Sequence, residues 1–270
     1  TGGAAGPLPM GVYDIIVFNR SFNDFSNIAF RGNSYETLEA YARKVETRVD
    51  KKTRVETRTI ISSPDELAAA TLKGFTVTED MLGNYSQTTY GRTAPSRSSE
   101  ETPDGLYHLH FVPKKLTREV SAVLHIEGLN NIRSATCRLG GVAESIFLAT
   151  GKTSANTVTQ EFTPSNPEFS PGSPFNGTLS CEFEIFGLNV IDNNNLHLDA
   201  LLVDGKTEFE GDCTNVKITE NDDGTGSVTL ILEASTEKVP DVKPEGGAGS
   251  GFDVDVDGWG NEINTDIPIN

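Results

Sequence analysis

Leu179-Ser180-Cys181-Glu182-Phe183-Glu184-Ile185 alternates apolar and polar residues without a break, and Leu196, Leu198, Ala200 and Leu202 repeat the pattern soon after. A period of two places one face of each segment on a core and the other in water, which is the signature of a half-buried strand. Working outward, Val120 to Pro240 holds at least seven such runs with almost no helical periodicity between them. Gly, Asn, Asp or Pro interrupts them about every 8 to 12 residues, the spacing of a strand meander in an antiparallel sandwich. The predicted class is therefore mainly β. Such a scaffold works through its surface, edges and loops.

The runs are Val120 to Glu127, a turn at Asn130-Asn131, Ile132 to Leu139, Ala143 to Ala149 after Gly140-Gly141, and Thr157 to Phe162. Thr163 to Gly177, with four prolines and two glycines, is expected to be an exposed crossover. Strands at Leu179 to Phe186 and Leu196 to Val203 follow, then the turn signal Asp204-Gly205, matched later by Asn221-Asp222-Asp223-Gly224. Val228 to Leu232 is the last strong strand. Val239 to Ser250 is rich in Pro and Gly, and Gly251 to Asn270 has no helical pattern.

Before this region, Val12-Tyr13-Asp14-Ile15-Ile16-Val17-Phe18 is apolar on both faces except at Asp14, which predicts a central strand ending at Asn19. Two helices are expected. Asn33-Ser34-Tyr35-Glu36 reads as a capping box ahead of Tyr35, Leu38, Ala42 and Val45 on one helical face. Ser63 reads as an N-cap, with Pro64 at the first helical position, Glu66 closing the box and Gly74 ending the helix. Lys51 to Ile61 and Phe75 to Thr78 alternate as strands. Asn84 to Asp104 is a long polar surface loop, and Tyr107, Leu109 and Phe111 form an inward-facing row.

Charge divides the 270 residues unevenly. Up to Pro113 there are 12 basic and 14 acidic side chains; from Lys114 onward there are 10 and 25, within a total net charge of −17. The split predicts an N-terminal β-sandwich domain with one or two short helices at 1–113 and an acidic C-terminal β-sandwich domain at 114–270. So acidic a body repels nucleic acid and anionic headgroups. No run of 18 apolar residues occurs, and the start Thr1-Gly2-Gly3-Ala4-Ala5-Gly6-Pro7 has no secretory n- or h-region, so a mature or trimmed chain is expected. Cys137 and Cys181 fall on inward positions. Buried thiols are the favoured reading, with a Cys137–Cys181 disulfide as the alternative; the odd count with Cys213 excludes a fully paired framework.

Several motifs carry a chemical reading beside a structural one. Asp253-Val254-Asp255-Val256-Asp257-Gly258 resembles the opening of an EF-hand loop, but position 12 is Asn264 where a bidentate Glu is needed, and Phe252, Val254 and Val256 alternate as in a strand with an acidic face. His108 and His110 stand two apart on one strand without a third ligand nearby, so surface histidines are expected; His125 and His197 likewise fall on polar faces. No Gly-x-Ser-x-Gly elbow occurs, and Gly246-Gly247-Ala248-Gly249 lacks the Lys and strand–loop–helix setting of a phosphate cradle. Arg43 to Arg58 carries seven Lys/Arg, read as a solvated helix end and edge strand, with a docking patch for an acidic partner as the alternative. No catalytic, cofactor-binding, metal or single ligand-binding residue is assigned, and no cofactor is expected.

Gly11-Val12-Tyr13-Asp14-Ile15-Ile16-Val17-Phe18-Asn19, Ser34 to Val45, Leu116 to Ile126, Ala135 to Leu148 and the tail Gly251 to Trp259 together resemble fimbrillin-like proteins of type V pili, in particular the minor-fimbrium anchor or accessory branch of Gram-negative gut and oral anaerobes. The resemblance implies two tandem transthyretin-like β-sandwich domains. It also implies an exported lipoprotein at the outer membrane or cell surface that serves as a pilus anchor, assembly subunit or adhesin, with other pilin subunits as partners. In polymerising members of that family one subunit supplies a strand to the next, which is β-strand addition at an open sheet edge. Two departures stand out: no lipid-bearing Cys lies near Thr1, and Thr1 to Met10 does not read as the strand that precedes the Gly-x-Tyr segment. Trimming is the preferred reading; an N-terminal sandwich with an open acceptor groove is the other. Tyr90-Gly91-Arg92 and Thr163 to Gly177 are candidate contact loops. The alternative function is a glycan-binding, lectin-like module in which Trp259 supplies the aromatic platform.

Overall fold

The computed structural model describes residues 8–49, 57–81, 100–101, 107–189, 194–222 and 228–244. The N-terminal strands are β1 (Gly11–Phe18), β2 (Ile28–Arg31), β3 (Glu39–Ala42), β4 (Lys44–Val49), β5 (Thr57–Ile61), β6 (Ala68–Val77) and the short pieces β7 (Glu100–Glu101), β8 (Tyr107–His108) and β9 (Lys114–Lys115). Then come β10 (Arg118–Glu127), β11 (Ile132–Ala143), β12 (Ser145–Phe147), β13 (Thr157–Phe162), β14 (Asn166–Phe169) and β15 (Asn176–Ile185). The last four are β16 (Leu196–Leu202), β17 (Glu208–Asp212), β18 (Thr214–Asp222) and β19 (Val228–Ser235). Helical structure among the described residues is confined to single 3-10 turns at Phe22–Asp24, Glu79–Met81 and Leu129–Asn131.

Two sheets form the larger sandwich. One has the order β14-β15-β10-β19-β18 and the other β17-β16-β11-β13-β5-β4. Alternation decides their inner faces: Leu124, Leu179, Leu230 and Leu232 from the first join Cys137, Leu139, Leu198 and Leu202 from the second in one buried cluster. Phe162 of β13 stacks on Phe183 of β15 at 4.3 Å between centroids, which ties the two layers together. Each fully buried Leu or Phe contributes about 1.5–3 kcal/mol over an exposed one. The sandwich is mostly antiparallel, as expected, but β10 pairs with β19 and β13 with β5 in parallel.

Two three-stranded sheets, β1-β6-β9 and β12-β3-β2, complete the N-terminal part. Phe18 of β1 stacks on Phe30 of β2 at 5.4 Å, and Phe22 and Phe25 meet Phe30 at 4.6 and 5.4 Å, so an aromatic cluster joins these sheets. Strands on either side of position 113/114 share sheets: Ser145, Ile146 and Phe147 of β12 pair with Tyr41, Ala40 and Glu39 of β3, and Thr159-Gln160 of β13 with Ile60-Ile61 of β5. Leu38, Ala40, Ile61 and Leu67 lie in or against the same cluster as the C-terminal core.

Neither expected helix forms, and each departure has a local cause. Ser34 does begin a turn: the Thr37 and Leu38 amides donate to its carbonyl at 3.1 and 2.9 Å. The turn then stops, because Glu39–Ala42 is the middle strand of its sheet with Ala40 and Ala42 fully buried. Tertiary pairing overrides a weak local preference. Ser63 caps no helix. Ala68 to Gly74 is taken up by β6, which is central in its sheet, and Gly74 adopts φ +72° where Lys73 and Gly74 oppose the single residue Asp14. The glycine that reads as a helix stop is instead the left-handed residue of a β-bulge, and its amide donates to Asp14 Oδ1 at 2.8 Å.

The Thr163–Gly177 segment is also more ordered than expected. Asn166–Phe169 pairs with β15 as the edge strand β14, where Pro167 is tolerated because it owes no ladder hydrogen bond outward. The Asp204-Gly205 turn forms as read. Asp204 Oδ1 accepts from the Lys206 and Thr207 amides at 3.0 and 2.9 Å, and Gly205 takes φ +70°.

Candidate binding edge and adjoining cleft

β1 reads as a central strand, yet it lies at the edge of its sheet, paired with β6 alone among the described residues. Its apolar character is explained by its surroundings: Ile15, Ile16, Val17 and Phe18 are all half-buried, with Ile16 and Phe18 against the core cluster. Toward Gly11 it opens to solvent, and Val12 is 71% exposed. The backbone groups on its second side belong to a row that another extended segment can complete.

Beside this edge lies a cleft of about 340 Å³. Asp14, Ile16 and Phe18 form one wall, Phe22 adds an aromatic surface, and Tyr35 and Leu38 stand opposite on the segment after β2. The Ser34 turn shapes that segment, since the Ser34 and Thr37 hydroxyls meet at 2.7 Å and the Thr37 hydroxyl accepts from the Ser34 amide at 3.2 Å. Lys73 pairs with Glu36 and sits 5.6 Å above the Tyr35 ring, marking a charged rim. The pairing raises the Lys73 pKa, chiefly through the hydrogen bond that Lys73 donates to the Glu36 carboxylate. An apolar floor with a polar rim next to a free strand edge suits an extended chain, with its backbone on β1 and alternate side chains in the cleft.

Among the described residues, the outer strands of the two larger sheets, β14, β18, β17 and β4, are also open edges. β14 is exposed throughout, and its hairpin shows Phe169 and Phe175 at 48% and 60% exposure. Of the basic run, Arg43 and Lys44 are exposed and β4 is the edge strand of its sheet, as expected, but the expected helix end is absent because strand β3 precedes it.

The other residues singled out in the sequence are dispersed. His108 and His110 are both exposed, with rings 6.4 Å apart, and strand structure there is limited to Tyr107–His108. His125 is exposed on β10. His197 is engaged by Asp199 and Asp212. Cys137, Cys181 and Cys213 are separate thiols. Burial pushes Cys137 far above the usual thiol range, and Cys181 and Cys213 up to about 11, so all three are protonated and poorly nucleophilic at neutral pH. Tyr90-Gly91-Arg92, Asp253 to Gly258, Asn264, Gly246 to Gly249 and Trp259 lie outside the described residues. Among those residues no helix is long and apolar enough to cross a membrane.

A family model described as a domain of unknown function, DUF5119, matches residues 2–163, more than half of the chain. The chain belongs to the DUF5119 family. The matched DUF5119 stretch includes β1 to β13 and runs through position 113/114, so it takes in both strand pairings that cross it. Comparison with curated proteins gives no match. Among solved structures, the chain is similar to a candidate adhesin from Bacteroides ovatus, with 16% identity over 76% of this chain and 66% of that one and a TM-score of 0.47. A candidate adhesin from Bacteroides thetaiotaomicron follows at 13% identity, 76% and 60% coverage and a TM-score of 0.35. A second one from Bacteroides ovatus has 8% identity, 76% and 55% coverage and a TM-score of 0.30. The chain thus spans 55–66% of the length of these structures.

Proposed function

We propose that this DUF5119 chain is a non-enzymatic, cell-surface adhesion or fimbrial accessory subunit that works by β-strand addition at the open edge of β1. The observation that carries the reading is the edge of β1, unpaired among the described residues, lying against a cleft walled by Asp14, Ile16 and Phe18. Side chains two apart on the edge strand line the cleft, so one incoming segment meets backbone donors and acceptors and side-chain pockets at once. The fimbrillin-like sequence resemblance supports the same reading, with export to the outer membrane or cell surface and pilin-type subunits as partners. The candidate-adhesin structures fit that role by description only.

The test is photocrosslinking in the native envelope with a photoreactive residue in place of Val12. A crosslink to an extended segment of another surface subunit supports the proposal. Crosslinks only to polysaccharide-uptake components, or none from position 12 while a control at the exposed Phe175 reacts, contradict it. A glycan array separates the lectin alternative: sugar binding abolished by Trp259→Ala would favour that function instead.

A further inference from the structure

The geometry points to a binding site for a divalent transition-metal cation of the zinc class, formed by His197, Asp199 and Glu210 on the outer face of the six-stranded sheet. One ligand atom from each of these three side chains lies within 4.8 Å of the others. They converge because of register. His197 and Asp199 are two apart on β16 and share a face, while β17 sets Glu210 directly opposite Asp199 and Asp212 opposite His197.

Asp199 and Glu210 are like charges opposite each other on neighbouring strands; Arg138 offsets Asp199, and a cation shared by Asp199, Glu210 and His197 would relieve the repulsion that Glu210 adds. The surrounding contacts orient the donors as metal sites require. His197 Nδ1 lies 2.8 Å from Asp212 Oδ1, the carboxylate–imidazole arrangement that fixes the ring and turns Nε2 inward. Nε2 lies 3.1 Å from Asp199 Oδ1, while Arg138 holds Asp199 Oδ2 from the other side and is itself anchored by Glu161 at 3.0 Å. Asp199 is thus fixed with one oxygen facing the imidazole. His197 and Asp199 are 32% and 23% exposed, which leaves an entry path and room for water on the open side. An imidazole nitrogen with two carboxylates suits zinc and its neighbours; calcium prefers six to eight oxygens and magnesium a hydrated octahedron.

Calorimetric titration of zinc chloride into the full chain tests the site. A single equivalent is expected to bind, with affinity reduced at least roughly tenfold in His197→Ala and in Glu210→Gln. The His108→Ala/His110→Ala double variant is expected to bind as the parent does. Glu210 is exposed on an edge strand, so Glu210→Gln keeps the test valid if His197→Ala fails to fold. Cobalt in place of zinc is expected to give a visible absorption band that the two site variants lose. Failure of the parent chain to bind zinc, unchanged affinity in both site variants, or equal binding of calcium would each overturn the assignment. None of these results depends on the β1 edge.

Discussion

The Ser63 hydroxyl grips both backbone groups of Glu184, accepting from its amide at 2.9 Å and donating to its carbonyl at 3.1 Å. These residues stand 121 positions apart, so one side chain stitches the segment before β6 to the end of β15. Lys115 adds a 2.6 Å ion pair to the Glu184 carboxylate at the same place. Ser63→Ala leaves a half-buried amide and carbonyl without their partner, and is expected to cost about 1–2 kcal/mol in denaturant unfolding. No measurable change would mean that water replaces the hydroxyl.

Gly74 holds φ +72° in the β6 bulge, with no atom within 4 Å of where a Cβ would stand. The cost of a side chain there is conformational rather than steric. Gly74→Ala is expected to lose about 1–2 kcal/mol, and Gly74→Asn less, since Asn tolerates the left-handed region better. Equal losses in the two variants would point to a clash instead.

Glu39 accepts hydrogen bonds from Arg31 Nε at 2.7 Å and Nη2 at 3.0 Å, and also from the Ser145 hydroxyl. The Arg31 hydrogen bond, helped by that of Ser145, outweighs burial and holds the Glu39 carboxyl below its ordinary range. A lowered folded-state pKa stabilises the fold above the unfolded value, near about 4.3, and the contribution disappears as pH falls through the folded value. The stability gap between the parent chain and Glu39→Gln is therefore expected to be constant near neutrality and to close in acid. Thermal unfolding across that range measures it, and a gap that persists unchanged into strong acid would refute the linkage.

Phe162 and Phe183 form one direct contact between the two layers of the larger sandwich. Each change to Ala is expected to cost about 3–5 kcal/mol. Because the rings touch, the double variant is expected to cost clearly less than the two single losses added together. Strict additivity would show that the layers do not meet at this pair.

The strands of the sandwich were legible where burial alternates cleanly. Leu179, Phe183 and Ile185 are buried, and Leu196, Leu198, Ala200 and Leu202 likewise, so β15 and β16 lie where the period of two puts them. The misread segments are those whose strongest cue is a single local residue. Ser34 and Ser63 carry helix-capping chemistry, but one closes a lone turn and the other bonds Glu184 across the fold. Gly74 signals positive φ without saying whether a helix or a bulge uses it. Pro167 hid β14, since proline argues against a strand unless that strand is an edge. Sites were harder still, because register is non-local. Nothing near His197 in sequence announces Glu210 across from Asp199, and nothing near Asp14 announces Tyr35 and Leu38 across the cleft.

Hydrogen exchange along β1 tests the central claim most directly. In the isolated chain, the β1 amides not bonded to β6 are expected to exchange quickly, while those in the β6 ladder are protected. In complex with the surface subunit recovered through position 12, the fast set is expected to become protected. Unchanged exchange along β1 in a stable complex would contradict strand addition at this edge.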